Sequence, residues 1–213
     1  MPQKPPGQTL LENAYKLATP GDSTAYYDTF AASYDRDFVA QMGYQFPKAI
    51  ADAYHRNALP DDTPIADIGC GTGLVAVELA LPNTPIDGID ISPEMLAVAG
   101  KKALYRTLTK VDLTGPLTPN TYGAVLSSGT FTHGHLGPEP LRGLLDVARK
   151  GALFLIGVNQ HHFAARNFAD VLDVLVAGGK ITPVRLTEIM IYSNQVHDHS
   201  ADRAMILQYR KLW

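Results

Sequence analysis

The sequence predicts an α/β fold, a doubly wound, seven-stranded mixed sheet whose last strand runs antiparallel, behind a helical N-terminal cap. Three observations carry this prediction. From Pro64 onward short apolar runs alternate with segments of helical periodicity, the pattern of βαβ units and a parallel sheet. Three glycines at alternate positions, Gly69, Gly71 and Gly73, stand between the first apolar run and the first helical pattern. The last two apolar runs are joined by about eight residues, too few for a helical crossover, so they should pair as an antiparallel hairpin.

In order along the chain, residues 1–9 are rich in proline and read as a tail, with regular structure expected from near Leu10. "LLENAYKLA" and "STAYYDTFAASYDRDFVAQMGYQFPKAIADAYHRNAL" place apolar and aromatic residues at three- and four-residue spacing, with Asp22 and Ser23 positioned as N-caps and an end before Pro60. Strands follow at "PIADIG", "PIDGIDI", "YRTLTKV", "YGAVLSS", "ALFLIGV", "ITPVRLTEIMIYS" and "RAMILQYRKL". Helices are expected from Thr72, Ser92 and Pro138, with a long one over 162–177. Right-handed crossovers put these helices on both faces of the sheet. With 213 residues, 46% of them hydrophobic, the chain should form a single domain: a tail and cap over 1–60 and a core over 61–213.

Composition excludes several functions. A formal charge of −3, with no basic cluster longer than Lys101–Lys102, offers no surface for a phosphate backbone, so nucleic acid is not an expected partner. A single cysteine, Cys70, excludes an intramolecular disulfide and fits a reducing, cytoplasmic location. No apolar window reaches the ~18 residues of a membrane span, and the N-terminus lacks the apolar length of a signal peptide.

The glycine loop indicates the ligand. In a doubly wound sheet the first βα turn lets backbone approach a bound molecule closely. The dinucleotide fingerprint G-x-G-x-x-G would need its third glycine where Leu74 stands, and the observed spacing is G-x-G-x-G. Asp67, two residues before Gly69, would repel a pyrophosphate and attract an ammonium or sulfonium. S-adenosylmethionine carries both of those cations and no phosphate. Asp90, ending the second strand, is placed to accept from both ribose hydroxyls; Asp112, after the third, is placed to accept from the adenine amino group, with Leu113 beside it and Met95 as an apolar wall.

These residues resemble the class I S-adenosylmethionine-dependent methyltransferases. "DIGCGTG" looks like their first motif, "IDGIDISPEML" like the strand-two acid with its helix, and "KVDLTGPL" like the adenine-binding turn. "YGAVLSSGTFTHGHLGPE" resembles the fourth-strand segment of a methyltransferase-like subgroup named after the Williams–Beuren chromosomal region, and "YYDTFAASYDRDF" resembles the cap helix of small-molecule members. The resemblance covers roughly residues 24–160. It implies a Rossmann-like core and a cofactor site made by Tyr27, Tyr34, Asp67, Ile68, Gly69, Cys70, Gly71, Thr72, Gly73, Asp90, Ile91, Met95, Asp112, Leu113, Ser127 and Ser128.

The acceptor side is marked by histidine. Six of the seven histidines form three pairs, His133/His135, His161/His162 and His197/His199, each after a strand expected to be parallel, so that all three loops open on the ligand face. One reading is a pocket whose imidazoles act as general base, hold an anionic substrate or bind a metal; the other is that exposed loops tolerate histidine and a single pair faces the pocket. His133 and His135 are the expected catalytic residues, because the loop after the fourth strand borders the acceptor, and no metal is expected. His55 reads as a surface residue, and Tyr26, Tyr27 and Tyr34 as cap residues that pack or hydrogen-bond the cofactor or acceptor. "SSGT", Ser127 to Thr130, stands where nucleobase amino-methyltransferases carry an Asn/Asp-Pro-Pro-aromatic segment, so base methylation is disfavoured. The expected activity is methyl transfer from S-adenosylmethionine to a small-molecule acceptor, by a monomer or by a homodimer paired through the edge near Trp213. Competing readings are a non-catalytic S-adenosylmethionine-binding sensor or scaffold and, against the glycine spacing, a nicotinamide oxidoreductase.

Overall fold

The computed structural model describes residues 6–14, 20–119, 121–132, 135–194 and 199–213. Its strands are β1 (Ile65–Ile68), β2 (Ile86–Asp90), β3 (Thr107–Lys110), β4 (Tyr122–Phe131), β5 (Ala148–Asn159), β6 (Arg185–Met190) and β7 (Arg203–Arg210). They form one sheet in the order β3-β2-β1-β4-β5-β7-β6. β1 to β5 pair in parallel, and β7 runs antiparallel to both β5 and β6. The strand order turns back between β1 and β4, which opens a crevice at the carboxyl ends of those strands, the place where such sheets bind ligands.

Burial follows this order. β1 is buried at every position because strands flank it and helices cover it, whereas β3 and β6, at the two edges, are mostly exposed. Alternation along β5 divides the core between two faces. Leu153 and Leu155 join Ile50, Leu79 and Ile206 on one; Phe154 and Ile156 join Phe168, Leu172 and Leu207 on the other.

The cap consists of α1 (Pro6–Ala14), α2 (Pro20–Phe30), a 3-10 turn (Ala31–Ser33), a π-helical turn (Asp35–Ala40) and α3 (Phe46–Asn57). α4 (Leu74–Leu79), α5 (Pro93–Lys101), α6 (Pro140–Gly143), α7 (Gln160–Ala165) and α8 (Phe168–Ala177) belong to the core. Among the described residues no helix is long and apolar enough to cross a membrane.

Four local expectations change. Helix begins at Pro6 rather than near Leu10, since a proline is preformed for the first helical turn. α2 begins at Pro20, which puts Asp22 in its first turn and Ser23 inside it rather than at an N-cap. The helix expected from Pro138 is a four-residue turn. The helix expected over 162–177 is broken where Asn167 takes the left-handed region at φ 56°, a conformation asparagine tolerates.

β4 also runs further than its apolar run suggests. Gly129 takes φ 78°, and the pairing with β5 shifts between Ser127 and Phe131. Such a bulge re-aims a strand end. Here it brings Gly129 and Thr130 beside the crevice, and a Cβ on Gly129 would collide with the Tyr44 hydroxyl.

Candidate active site

The loop after β1 is pinned to β2: the Gly69 and Cys70 amides both donate to the Ile89 carbonyl, at 2.7 and 3.1 Å. Gly69 and Gly71 take φ of 66° and 53°, in the left-handed region that favours glycine. Their reasons differ. A Cβ on Gly69 would strike the Thr130 side chain, whereas one on Gly71 would meet nothing within 4 Å. The open side of Gly71 belongs to a cavity of about 210 Å³ that runs from this loop under the cap. Gly73 does not line it; a Cβ there would come within 2.9 Å of the Tyr105 ring, so this glycine serves packing.

The acids are held in distinct ways. Asp90 accepts the Gly71 amide on Oδ2 at 2.8 Å and the Ser92 amide on Oδ1 at 2.9 Å, which fixes the carboxylate on the cavity wall. Burial raises its pKa against those donated bonds. The Ser92 hydroxyl accepts the Met95 amide at 3.0 Å, capping α5 and bringing buried Met95 to the same wall. Asp112 accepts the Thr114 hydroxyl at 2.7 Å and the Thr114 amide at 2.9 Å, both on Oδ1, and these bonds hold its carboxyl below the ordinary range. Asp112, Leu113 and Ile91 line the cavity.

Asp67 lies behind the loop rather than on the wall. It is fully buried; Oδ2 accepts from the Tyr105 hydroxyl at 2.7 Å, and Oδ1 has no hydrogen-bond partner among the described residues. Burial pushes its pKa up to about 7 despite the Tyr105 bond. Ile68 and Ser127 also sit behind: the Ile68 carbonyl accepts from the Ser127 hydroxyl at 2.7 Å and from the Thr130 hydroxyl at 3.1 Å. Ser128, Cys70 and Thr72 do reach the cavity.

The cap supplies the roof. Tyr27 and Tyr34 both line the cavity, and burial raises both phenols well above the ordinary tyrosine range. Two carboxylates tie this roof to the cofactor loops. Asp35 accepts the Thr72 hydroxyl at 2.6 Å and the Lys102 ammonium at 2.6 Å, and Asp28 accepts the Ser92 hydroxyl. No sequence motif assigns Asp28, Asp35, Tyr44, Lys102, Tyr105 or Thr130 to the site. The cap ties join positions 37, 67 and 64 residues apart, and no local pattern marks such pairs.

Among the described members of the histidine pairs, one reaches the wall. His135 lines the cavity with its ring 5.3 Å from that of Tyr27, at 75°. His133 and His197 lie outside the described residues. His162 is buried with Nε2 2.9 Å from the Leu136 carbonyl, a structural role; His161 is exposed. His199 Nδ1 lies 3.2 Å from Asp202, away from the cavity, and His55 is exposed on α3. Among the described residues no group of three His, Cys, Asp or Glu could hold a metal ion.

The chemistry of this lining is one-sided. It offers two carboxylates and aromatic rings, and among its described residues no Lys or Arg. A pyrophosphate would enter without a counter-charge. The open side of Gly71, the paired amides holding Asp90 and the buried acid behind the loop fit a nucleoside ligand that carries positive charge and no phosphate.

Comparison with known proteins agrees. Residues 65–151 match the sequence profile of a family described as a methyltransferase domain. The chain is 37% identical over 118 residues to human methyltransferase-like protein 27, covering 52% of this chain and 47% of that protein. It thus spans about half the length of that relative, and less of the other curated relatives it matches. Among solved structures, the [4+2]-cyclase SpnF superposes with a TM-score of 0.65 at 16% identity, covering 92% of this chain and 98% of that one. An S-adenosylmethionine-dependent methyltransferase from Clostridium acetobutylicum does so with a TM-score of 0.58 at 16% identity, covering 87% and 98%. At such identities the solved structures speak to the fold, and the matched profile speaks to the family. Glycine loop, strand-two acid, sheet order and the methyltransferase-domain match over residues 65–151 together support a class I S-adenosylmethionine-dependent methyltransferase.

Proposed function

We propose that this protein transfers a methyl group from S-adenosylmethionine to a small-molecule acceptor, releasing S-adenosylhomocysteine. The observation that carries the reading is a single cavity, walled at one end by Gly71 and Asp90 and continuing past the cofactor loops to Tyr44 and Tyr192 beneath the cap. A sensor or scaffold needs only the first end. The enclosing cap and the lining without Lys or Arg among its described residues favour a small acceptor over nucleic acid. We place the reaction in the cytoplasm, in a single domain acting as a monomer or homodimer; the lone, buried Cys70 supports the compartment.

The cofactor supplies an activated methyl group on a sulfonium, and the protein's part is alignment and exclusion of water. Asp90 accepts from the ribose hydroxyls, its carboxylate already oriented by the Gly71 and Ser92 amides. Asp112 accepts from the adenine amino group between the apolar walls of Leu113, Ile91 and Met95. The backbone from Gly69 to Thr72 and that of Ser128 lie against the rest of the molecule, with Tyr27 and Tyr34 over it. Asp67, Ile68, Gly73 and Ser127 act through these residues, from behind. His135, or His133 beside it in sequence, takes the acceptor's proton where one must leave. A metabolite screen with S-adenosylmethionine, read as S-adenosylhomocysteine release, tests the reading; tight cofactor binding with no turnover on any acceptor would favour the sensor.

A further inference from the structure

Beyond the glycine loop the cavity is walled by rings from three separated stretches of chain. Tyr34 and Phe38 of the cap stack with centroids 5.1 Å apart. Phe38 lies 5.4 Å from Tyr44 and 6.3 Å from Tyr192, and Tyr44 and Tyr192 lie 5.9 Å apart. These rings form a continuous aromatic wall. Tyr34, Phe38 and Tyr44 all belong to the cap, and Tyr44 is joined to Tyr192 by a backbone bridge, reinforced by the Gln45 amide donating to the Ile191 carbonyl at 2.8 Å.

No Lys or Arg faces this wall among the described lining residues, and the carboxylates of the lining, Asp90 at the end of β2 and Asp112 after β3, stand at the cofactor loops. The phenols cannot serve as counter-ions, since burial pushes Tyr44 up to about 12 and Tyr34 well above its ordinary value. An acceptor carrying a carboxylate or phosphate would exchange its hydration here for hydroxyl and amide contacts, with no Lys or Arg among the described lining residues to offset its charge. A flat uncharged ring would exchange water for edge and face contacts on several sides. Neutral hydrogen-bonding groups are at hand to orient it, among them the Tyr44 hydroxyl, Ser128, Thr130, Asn159 and His135.

Resting on the methyltransferase reading, we infer that the wall of Tyr34, Phe38, Tyr44 and Tyr192 is the acceptor subsite and that it takes an uncharged, ring-bearing molecule, rejecting anions. The subsite is therefore a selectivity filter by charge as well as by shape. Three of its four rings belong to the cap, so the acceptor enters and leaves with the cap displaced.

Three single-ring probes of similar size but different charge test this: p-cresol, 4-methylbenzoate and 4-methylbenzylammonium, titrated calorimetrically into the full chain saturated with S-adenosylhomocysteine. The expected result is p-cresol binding about tenfold or more tighter than 4-methylbenzoate. Phe38→Leu and Tyr192→Leu should each weaken p-cresol by about tenfold while leaving S-adenosylhomocysteine affinity within about twofold, and Tyr44→Phe, which keeps its ring, should retain p-cresol. Equal or tighter binding of 4-methylbenzoate, tighter binding of 4-methylbenzylammonium, or p-cresol affinity indifferent to both leucine variants in folded protein would overturn the inference. Failure of wild type to bind S-adenosylhomocysteine in the same experiment would instead remove the cofactor reading, and titrating p-cresol into the protein alone would then still test the subsite.

Discussion

The Lys102 ammonium donates to the Asp35 carboxylate at 2.6 Å and to the Thr72 carbonyl at 2.6 Å, so one side chain at the C-cap of α5 joins the cap to the glycine loop. Both partners are partly exposed, with side-chain exposures of 23% and 38%, so solvent screening limits the pair to about 1 kcal/mol. The consequence is functional rather than structural. Lys102→Met should leave the melting temperature nearly unchanged but weaken S-adenosylmethionine by about fivefold, since the roof is no longer tied to the loop. Tryptic cleavage after Arg36, whose side chain is 77% exposed in the cap, should accelerate in the variant and slow when cofactor is added to wild type. Unchanged cleavage and affinity would mean that the tie is incidental.

Gly69 and Gly71 share a backbone conformation but not a neighbourhood, and substitution separates their roles. Gly71→Ala introduces a methyl into open space, so it should cost only about 1 kcal/mol of stability for the left-handed conformation yet lower cofactor affinity by tenfold or more. Gly69→Ala adds a collision with Thr130 to the same strain and should lower the melting temperature much further. Thermal melts beside calorimetry check both. A Gly71→Ala protein that binds cofactor normally would place the ligand elsewhere.

Asp67 predicts a pH dependence of stability. An aspartate in the unfolded chain titrates near 3.9, whereas burial pushes Asp67 up to about 7, so between those values the folded state holds the extra proton. Its contribution is fully present below about pH 4 and is lost as pH rises to about 7, by an amount on the order of a few kcal/mol. Asp67→Asn cannot ionise. Its melting temperature should therefore rise relative to wild type between about pH 5 and about pH 8. Parallel curves for the two proteins across that range would contradict the burial argument.

His135 meets Tyr27 edge-on at the wall, and its proposed role is proton removal rather than cofactor binding. On any acceptor that wild type methylates with loss of a proton, His135→Asn should lower turnover by about a hundredfold while S-adenosylmethionine affinity stays within about twofold. Equal losses in both would make it a cofactor contact, and undiminished turnover would pass the role to His133.

Much of this was legible in the sequence because it depends on neighbours along the chain. The spacing of Gly69, Gly71 and Gly73, the acid ending β2 and the short link before β7 are local patterns, and the antiparallel last strand and the likeness to a methyltransferase domain follow from them. What escaped was tertiary. The division of the loop into residues that line the cavity and residues that stand behind it depends on Thr130 and Tyr105, which come from elsewhere in the fold. The extension of β4 rests on Gly129 making room for the Tyr44 hydroxyl, and the histidine pairs separated because His162 turns inward to the Leu136 carbonyl while His199 pairs with Asp202.

The most direct measurement is calorimetric titration of the purified protein with S-adenosylmethionine, S-adenosylhomocysteine and NAD, repeated on Asp90→Ala. The account predicts micromolar binding of the first two, no binding of NAD, and a loss of about 1–3 kcal/mol in the variant, which forfeits the ribose acceptors and the anchor of the Gly71 amide. Binding of NAD alone, or Asp90→Ala binding S-adenosylmethionine as tightly as wild type, would contradict it.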